Sequence, residues 1–395
     1  MTTPLSQDQP LLRQLTLRNL LSFGPETQPL DLQRLNVLIG PNGSGKSNLI
    51  ESLALLRAAA RDLRAVVRRG GGAGEWVWKG EPMSVASVDA VMSGRQGAQP
   101  LRHLLAFRAE NQSFQLDDER IEFIAAENGK PDADFIYHYS HQHPILSVKG
   151  KQRRLESDTV IPDVSILTER KDPEAYPEIT YLADVYARIR IYREWSMGRN
   201  IVFREPQKAD ARQDRLEEDF SNLGLFLNHL RRSPKTKNAI ISHLKDLYEG
   251  LNDFDVSVAG GTVQVFLTEG DFVIPATRLS DGTLRYLCLL AILCDPKPPP
   301  LVCIEEPELG LHPDMMPKLA SLMVSASERI QLIVTTHSDT LVDALTEHPD
   351  AIIVCEKHDH QTEMRRLQQQ QLEEWLKKYS LGTLWRNGEL GGNRW

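Results

Sequence analysis

Long apolar runs are missing from this sequence. The longest, Tyr286 to Cys294, is nine residues, about half of what a membrane-spanning helix needs. Met1 to Pro10 lacks the charged-then-apolar layout of a signal peptide. Cysteine is scarce, and Cys288, Cys294, Cys303 and Cys355 lie in apolar segments with no C-x-x-C pairing. Buried reduced thiols are expected of them rather than a disulfide or metal role. There is no excess of positive charge, with 46 basic against 54 acidic side chains and a net of −8. That excludes a polybasic binder but leaves room for a local basic groove, because binding depends on where charge sits. Internal repeats and coiled-coil heptads are absent as well. These absences point to a cytoplasmic protein with no membrane partner, long enough for about two or three domain-sized units.

What is present is a series of five short motifs. Gly40-Pro41-Asn42-Gly43-Ser44-Gly45-Lys46-Ser47 fits the P-loop pattern. Leu279-Ser280-Asp281-Gly282-Thr283, Leu301 to Glu308, Leu311-His312-Pro313 and Thr335-Thr336-His337-Ser338 follow it. The apolar run Leu35–Ile39 feeds the glycine loop as a strand. After Lys46, Leu49, Leu53, Leu56, Ala60, Leu63 and Val67 recur at helical spacing, which predicts one helix ending in the glycines from 70 onward. Strand, glycine loop and helix form the context that a P-loop requires. Leu11–Phe23 alternates as a half-buried strand does. Short strands are expected from 75 to 160, among them 113–116 and 121–124. A mainly helical, charged stretch is expected from 181 to 251, with 204–219 as an exposed arm. Strands at 262–267, 301–304, 332–335 and 352–355, the last three alternating with helices, predict a parallel sheet.

A nucleoside triphosphate is a dense polyanion, so its site needs donors without side-chain bulk. Gly40, Gly43 and Gly45 let backbone N–H groups approach the phosphates at a helix N-terminus. Lys46 is expected to bridge the β- and γ-phosphates and Ser47 to hold Mg²⁺. Glu305 and Glu306 follow an apolar strand, where metal and attacking water belong in such sheets. Glu305 is assigned to the Mg²⁺ shell and Glu306 to polarising the water, with His337 hydrogen-bonding the γ-phosphate. Ser280 and Gly282 open an apolar helix and form a second anion site. A second site on one triphosphate makes sense if it closes over the nucleotide of a twofold-related copy.

Gly40 through Asn48, Leu-Ser-Asp-Gly-Thr at 279–283, Glu-Glu-Pro-Glu at 305–308 and Thr-His-Ser at 336–338 resemble the ABC-type ATPase heads of the RecF/SMC/OLD group. More narrowly, they resemble the AAA-family ATPases of bacterial defence and repair operons. The resemblance covers both ends of the chain well and the middle poorly. It implies an α/β P-loop NTPase with an ABC-ATPase-like fold, a mixed β lobe and a helical insertion. The expected division is 1–165 for the first ATPase lobe, 166–260 for the insertion, 261–365 for the second lobe and 366–395 for a tail. By the same analogy, residues 308–313 form the loop that crosses the dimer seam, and Asp281 joins the signature that meets ATP. Glu305 stands where wider ABC proteins carry aspartate. Gln112 and Gln115 are candidates for the Q-loop glutamine, and Arg18 and Asn19 for adenine contacts.

The 232 positions between Ser47 and Leu279 exceed the layout of a transporter nucleotide-binding domain and fall far short of SMC arms. The 58 residues after His337 do not fit an OLD-type nuclease domain. The leading expectation is therefore an ATP-hydrolysing, ATP-gated homodimer that senses or clamps DNA or RNA in genome repair or phage defence. It would control an effector protein from a neighbouring gene. Two alternatives stand beside it: a scaffold that holds a toxic effector, and a transporter's ATP-binding subunit. Arg57, Arg61, Arg64 and Arg68 would form one helical stripe, suited to a phosphate backbone or simply solvated. Arg188, Arg190, Arg193 and Arg199, with Tyr192 and Trp195 between them, suit single strands or, preferably, internal packing. Trp375, Trp385 and Trp395 either dock on a partner or fold back.

Overall fold

A computed structural model describes residues 9–95, 98–110, 113–124, 135–140, 143–148, 151–154, 161, 163–195, 198, 201–247 and 249–392. Gln112, Arg199 and Trp395 lie outside the described residues. The chain forms two compact units. The first comprises Met1–Ile189, Asp350–Gln368 and Gly388–Trp395, and the second Arg190–Pro349 and Gln369–Asn387.

The first unit is built on an antiparallel sheet. Its strands are β1 (Leu12–Arg18), β2 (Leu30–Asp31), β4 (Ala86–Met92), β5 (Leu101–Glu110), β6 (Ser113–Phe123), β7 (Phe135–Ser140), β8 (His143–Val148) and β9 (Lys151–Arg154). They run in the spatial order β2-β1-β4-β5-β6-β7-β8-β9. Strand β4 alternates buried and half-buried side chains along its whole length, as expected where one face packs and the other does not. The two short strands expected at 113–116 and 121–124 are one strand, β6, because β5 pairs with it throughout and absorbs an irregularity at Ala106/Phe107. A separate strand, β3 (Leu35–Ile39), is buried at all five positions. It pairs in parallel with β17 (Ile352–His358), which pairs antiparallel with β18 (Gln361–Arg366).

The helices of this unit are α1 (Lys46–Ala59), α2 (Leu63–Arg69), α3 (Ala73–Trp76), α4 (Ile166–Glu169) and α5 (Pro177–Ala187). The single helix expected from Lys46 to Val67 is thus two. Asp62 takes an extended backbone and accepts a hydrogen bond from the Ala65 N–H, capping α2, as a short acidic side chain does well. Both helices still bury the leucine and valine stripe. The arginine stripe does not survive the break: Arg61 donates to the Ala187 carbonyl and Arg64 pairs with Asp163.

In the second unit, β10 (Arg190–Tyr192), β15 (Leu301–Glu305) and β16 (Gln331–Thr335) form a parallel array with β15 in the middle. Parallel strands need both faces covered, and residues 301–304 and all of β16 are buried. A second sheet centres on β13 (Thr262–Glu269), paired with β11 (Gln207–Lys208), β12 (Leu251–Ala259) and β14 (Phe272–Pro275). The helices are α6 (Leu223–Leu230), α7 (Pro234–Leu244), α8 (Asp281–Leu293), α9 (Met316–Ser327), α10 (Asp339–Asp343), α11 (Gln369–Leu376) and α12 (Leu381–Arg386).

Four further expectations meet the structure here. The stretch from 204 to 219 is not a free arm, because Arg204, Gln207 and Leu216 are buried. Tyr192 and Trp195 both stack on Phe220, so that aromatic cluster is internal packing, as preferred. Trp385 is buried on α12, which folds back through the Leu381 N–H on Thr346 and through the Thr383 N–H on Asp343. Trp375, by contrast, is exposed on α11 beside Tyr379. All four cysteines are free thiols.

Candidate nucleotide site

The motifs divide between the units, with the glycine-rich loop in the first and the other four in the second. In the first unit the loop leaves the buried end of β3. Gly40 has φ +147, and a Cβ there would lie 2.2 Å from the Cys355 carbonyl oxygen. Gly43 (φ +81) faces open space. Gly45 (φ +97) precedes α1, and a Cβ on it would meet Thr362 Oγ1 at 2.2 Å. Only glycine takes these positions without strain or clash.

Lys46 is buried, and its Nζ donates to the Gly40 and Pro41 carbonyls at 2.7 and 2.9 Å. Asn42 and Ser47 are exposed, and Asn48 donates to Ser22 Oγ, which Thr362 also reaches at 2.7 Å. Ser44 Oγ is buried with no hydrogen-bond partner among the described residues. An orphaned hydroxyl inside a glycine-rich loop that carries one lysine fits a phosphate cradle. Arg18 is exposed at the end of β1, while Asn19, at φ +49, donates to the Val85 carbonyl.

In the second unit, β15 delivers Glu305 and Glu306 together. Glu305 Oε1 lies 3.4 Å from Arg193 Nε, and its carbonyl accepts from Trp195 Nε1 at 2.7 Å. Glu306 is left-handed, with φ +48, a conformation that costs an L-residue about 1–2 kcal/mol. Its neighbours hold it there. Its N–H donates to the Thr335 carbonyl at 2.9 Å, and its carbonyl accepts from Arg285 Nη2 at 2.5 Å. Its Oε1 faces His337 Nε2 at 3.8 Å, and both side chains are 36% exposed. A half-exposed carboxylate beside an imidazole suits water activation. A hydroxyl such as Ser47 and a carboxylate such as Glu305 are the oxygen donors that Mg²⁺ takes, alongside phosphate and water. Among the described residues no cluster of three or more His, Cys, Asp or Glu side chains forms a ready-made metal cage.

The signature segment opens α8. Ser280 caps it, its Oγ accepting from the Thr283 N–H at 3.0 Å. A Cβ at Gly282 would lie 2.7 Å from the Gly310 carbonyl oxygen, so the helix start and the 308–313 loop approach more closely than a larger residue permits. Asp281 is tied down by the Gly198 N–H at 3.2 Å and by the Arg204 guanidinium. Arg204 also donates to the carbonyls of Ala276, Thr277 and Leu279. Leu309, in the loop after β15, is exposed.

Sequence reasoning missed Arg204 and Arg285. Arg285 is the one charge within the apolar run that follows the signature, and it is 2% exposed. Its guanidinium lies 4.0 Å from the Trp195 ring centre, and burial lowers its pKa to about 10 against the pull of Glu308. A lone arginine in an otherwise apolar helix was the available signal.

Solved structures define the fold. The SMC head bound to the C-terminal winged-helix domain of ScpA superposes with a TM-score of 0.56 at 16% identity, covering 92% of this chain and 99% of that one. The SMC head with an extended coiled coil, bound to the C-terminal domain of ScpA from Pyrococcus furiosus, gives 0.52 at 14% identity, covering 93% and 99%. The fold is that of the ABC-like P-loop ATPase heads. Residues 35–343, more than three quarters of the chain, match the family described as AAA domain, putative AbiEii toxin, Type IV TA system, and the chain belongs to it. No curated protein matches the sequence. No helix among the described residues is long and apolar enough to cross a membrane.

Proposed function

We propose that this chain is a cytoplasmic ATPase that binds ATP–Mg²⁺ on residues 40–48 and hydrolyses it. In this reading Lys46 holds the β- and γ-phosphates, Ser47 and Glu305 are the magnesium ligands, and Glu306 polarises the attacking water with His337 beside it. The observation that carries the hydrolytic reading is the Glu306–His337 pair at 3.8 Å, kept in place by a left-handed backbone held from both sides. Strain of this kind persists where the surroundings over-determine it, and functional sites are where it clusters.

The chain acts as an ATP-gated homodimer, with Ser280, Asp281 and Gly282 closing on the nucleotide of the second copy. Support comes from the close packing of Gly282 on Gly310 and the exposed Leu309 in the adjoining loop. ATP favours the closed state because that state binds it better. The clamping of nucleic acid in repair or phage defence rests on family likeness alone, since Arg61 and Arg64 are engaged within the protein. Control of an effector protein finds support in the exposed Trp375 and Tyr379, since interface hot spots are rich in such side chains. The solved SMC heads, likewise, hold a partner domain.

Light scattering on Glu306→Gln, with and without ATP–Mg²⁺, tests the sandwich. Doubling of mass on ATP is expected, and a monomer with ATP demonstrably bound refutes the two-copy site. Repeating the run with DNA and with the neighbouring gene product shows which of them co-elutes. A fixed oligomer whatever the nucleotide favours the scaffold reading.

A further inference from the structure

Glu308, given a role above only as the first residue of the 308–313 loop, is held more firmly than a turn residue needs. Its Oε1 accepts two hydrogen bonds, from Thr336 Oγ1 at 2.7 Å and from the His337 backbone N–H at 2.9 Å. Thr336 is fully buried, and its Oγ1 accepts in turn from the Ser338 N–H at 3.0 Å. The other carboxylate oxygen, Oε2, is buried and meets no hydrogen-bond donor among the described residues. Burial raises this carboxyl above the usual carboxylate range, against the two donors that favour its charged form. An acidic side chain in a solvated turn would show neither the burial nor the donors.

What these bonds fix is the backbone at His337. The Glu306 N–H is anchored on the Thr335 carbonyl and the His337 N–H on the Glu308 carboxylate. The segment 335–337 is therefore stitched to the segment 306–308 at both ends, and the His337 ring emerges opposite the Glu306 carboxylate. We propose that Glu308 is a positioning residue, setting His337 against Glu306 by accepting hydrogen bonds from Thr336 and the His337 backbone. This rests on the hydrolytic reading of the pair.

The test is a double-mutant cycle on ATP–Mg²⁺ turnover with the full chain. His337→Ala is expected to lower kcat about tenfold or more. Glu308→Ala should match it with KM unchanged, and the double variant should be no slower than His337→Ala, because residues acting through one another are not additive. Glu308→Gln should restore most of the turnover that Glu308→Ala loses, since an amide oxygen accepts the same two bonds. Losses that multiply, or a loss confined to KM, overturn the proposal. A readout independent of turnover uses labelled histidine NMR, with the His337 signal assigned by its disappearance in His337→Asn. Glu308→Ala must move that signal and its titration midpoint, and an unmoved signal overturns the proposal. Wild-type protein without turnover would refute the hydrolytic reading, while the NMR comparison would still decide whether Glu308 sets His337.

Discussion

Glu119→Ala is expected to be among the most damaging single changes in the first unit. Glu119 on β6 is 1% exposed. Its carboxylate accepts from Ser165 Oγ and from the Ile166 N–H at 3.0 Å, the two groups that begin α4. Its Oε1 also faces His103 Nε2 at 3.3 Å, and the other ring nitrogen lies 3.2 Å from the Tyr186 hydroxyl on α5. Glu119 and His103 together therefore tie two helices to two strands. Alanine leaves three buried polar groups without their partner, at about 1–3 kcal/mol each. Breaking one member of a buried pair costs about 3–5 kcal/mol, so a loss of about 4 kcal/mol is expected. Hydrogen exchange at the central amides of β5 and β6 reads this directly. It should quicken about a thousandfold, since 1.4 kcal/mol is a factor of ten. Glu119→Gln should recover more than half of the loss, because its amide oxygen can accept from the Ile166 N–H while its NH2 can face Ser165 Oγ and His103 Nε2, both able to accept. An alanine effect below about fivefold, or a glutamine variant no better than alanine, would refute the reasoning.

Two further outcomes follow from the same physics. Arg204→Ala should cost about 2 kcal/mol, less than a fully buried pair because Asp281 is partly exposed, and faster exchange at the first amides of α8 is the measurement. Burial pushes the thiol of Cys294 up to about 11 and that of Cys355 up to about 12. Both folded values exceed the usual 8.5, so their stabilising contribution is complete below about pH 8.5 and is lost as pH rises through 11 to 12. Iodoacetamide at pH 8 should label native Cys294 about two hundred times more slowly than a free thiol. Its rate should climb about tenfold per pH unit toward 11, and rapid labelling of Cys355 at pH 8 would contradict this.

The parts of the fold legible in the sequence were those set by local pattern. Leu35–Ile39, 301–304, 332–335 and 352–355 are apolar runs bounded by turn residues, and each lies within a parallel pairing. The glycine loop was legible because Gly40 and Gly45 answer to steric limits that no other residue meets. The break after α1 had its signal in Asp62, a good cap. It was hidden because both helices bury apolar residues in continuous register, so that spacing alone ran straight through. Arg204 was hidden for the opposite reason. Its neighbours are charged, and charge density reads as solvated surface. Its partners, Ala276 to Asp281, come more than seventy positions later.

That long-range tie bears on how the candidate site is organised. The signature helix is not amphipathic, since Leu284 to Leu293 is buried on every side. A helix buried all round carries no information about which of its faces meets what. Arg285 supplies the missing direction, because a buried guanidinium must find acceptors or an aromatic face. It finds the Trp195 ring and the Glu306 carbonyl, and it feels the Glu308 charge. Arg204 does the same one turn earlier through the carbonyls before Ser280. Two buried cations thus fix the start of α8. One anchors it to the strand end that carries Glu306, the other to the segment preceding the signature. Placing them required the coordinates, because the acceptors of a buried cation are chosen by tertiary packing rather than by sequence spacing.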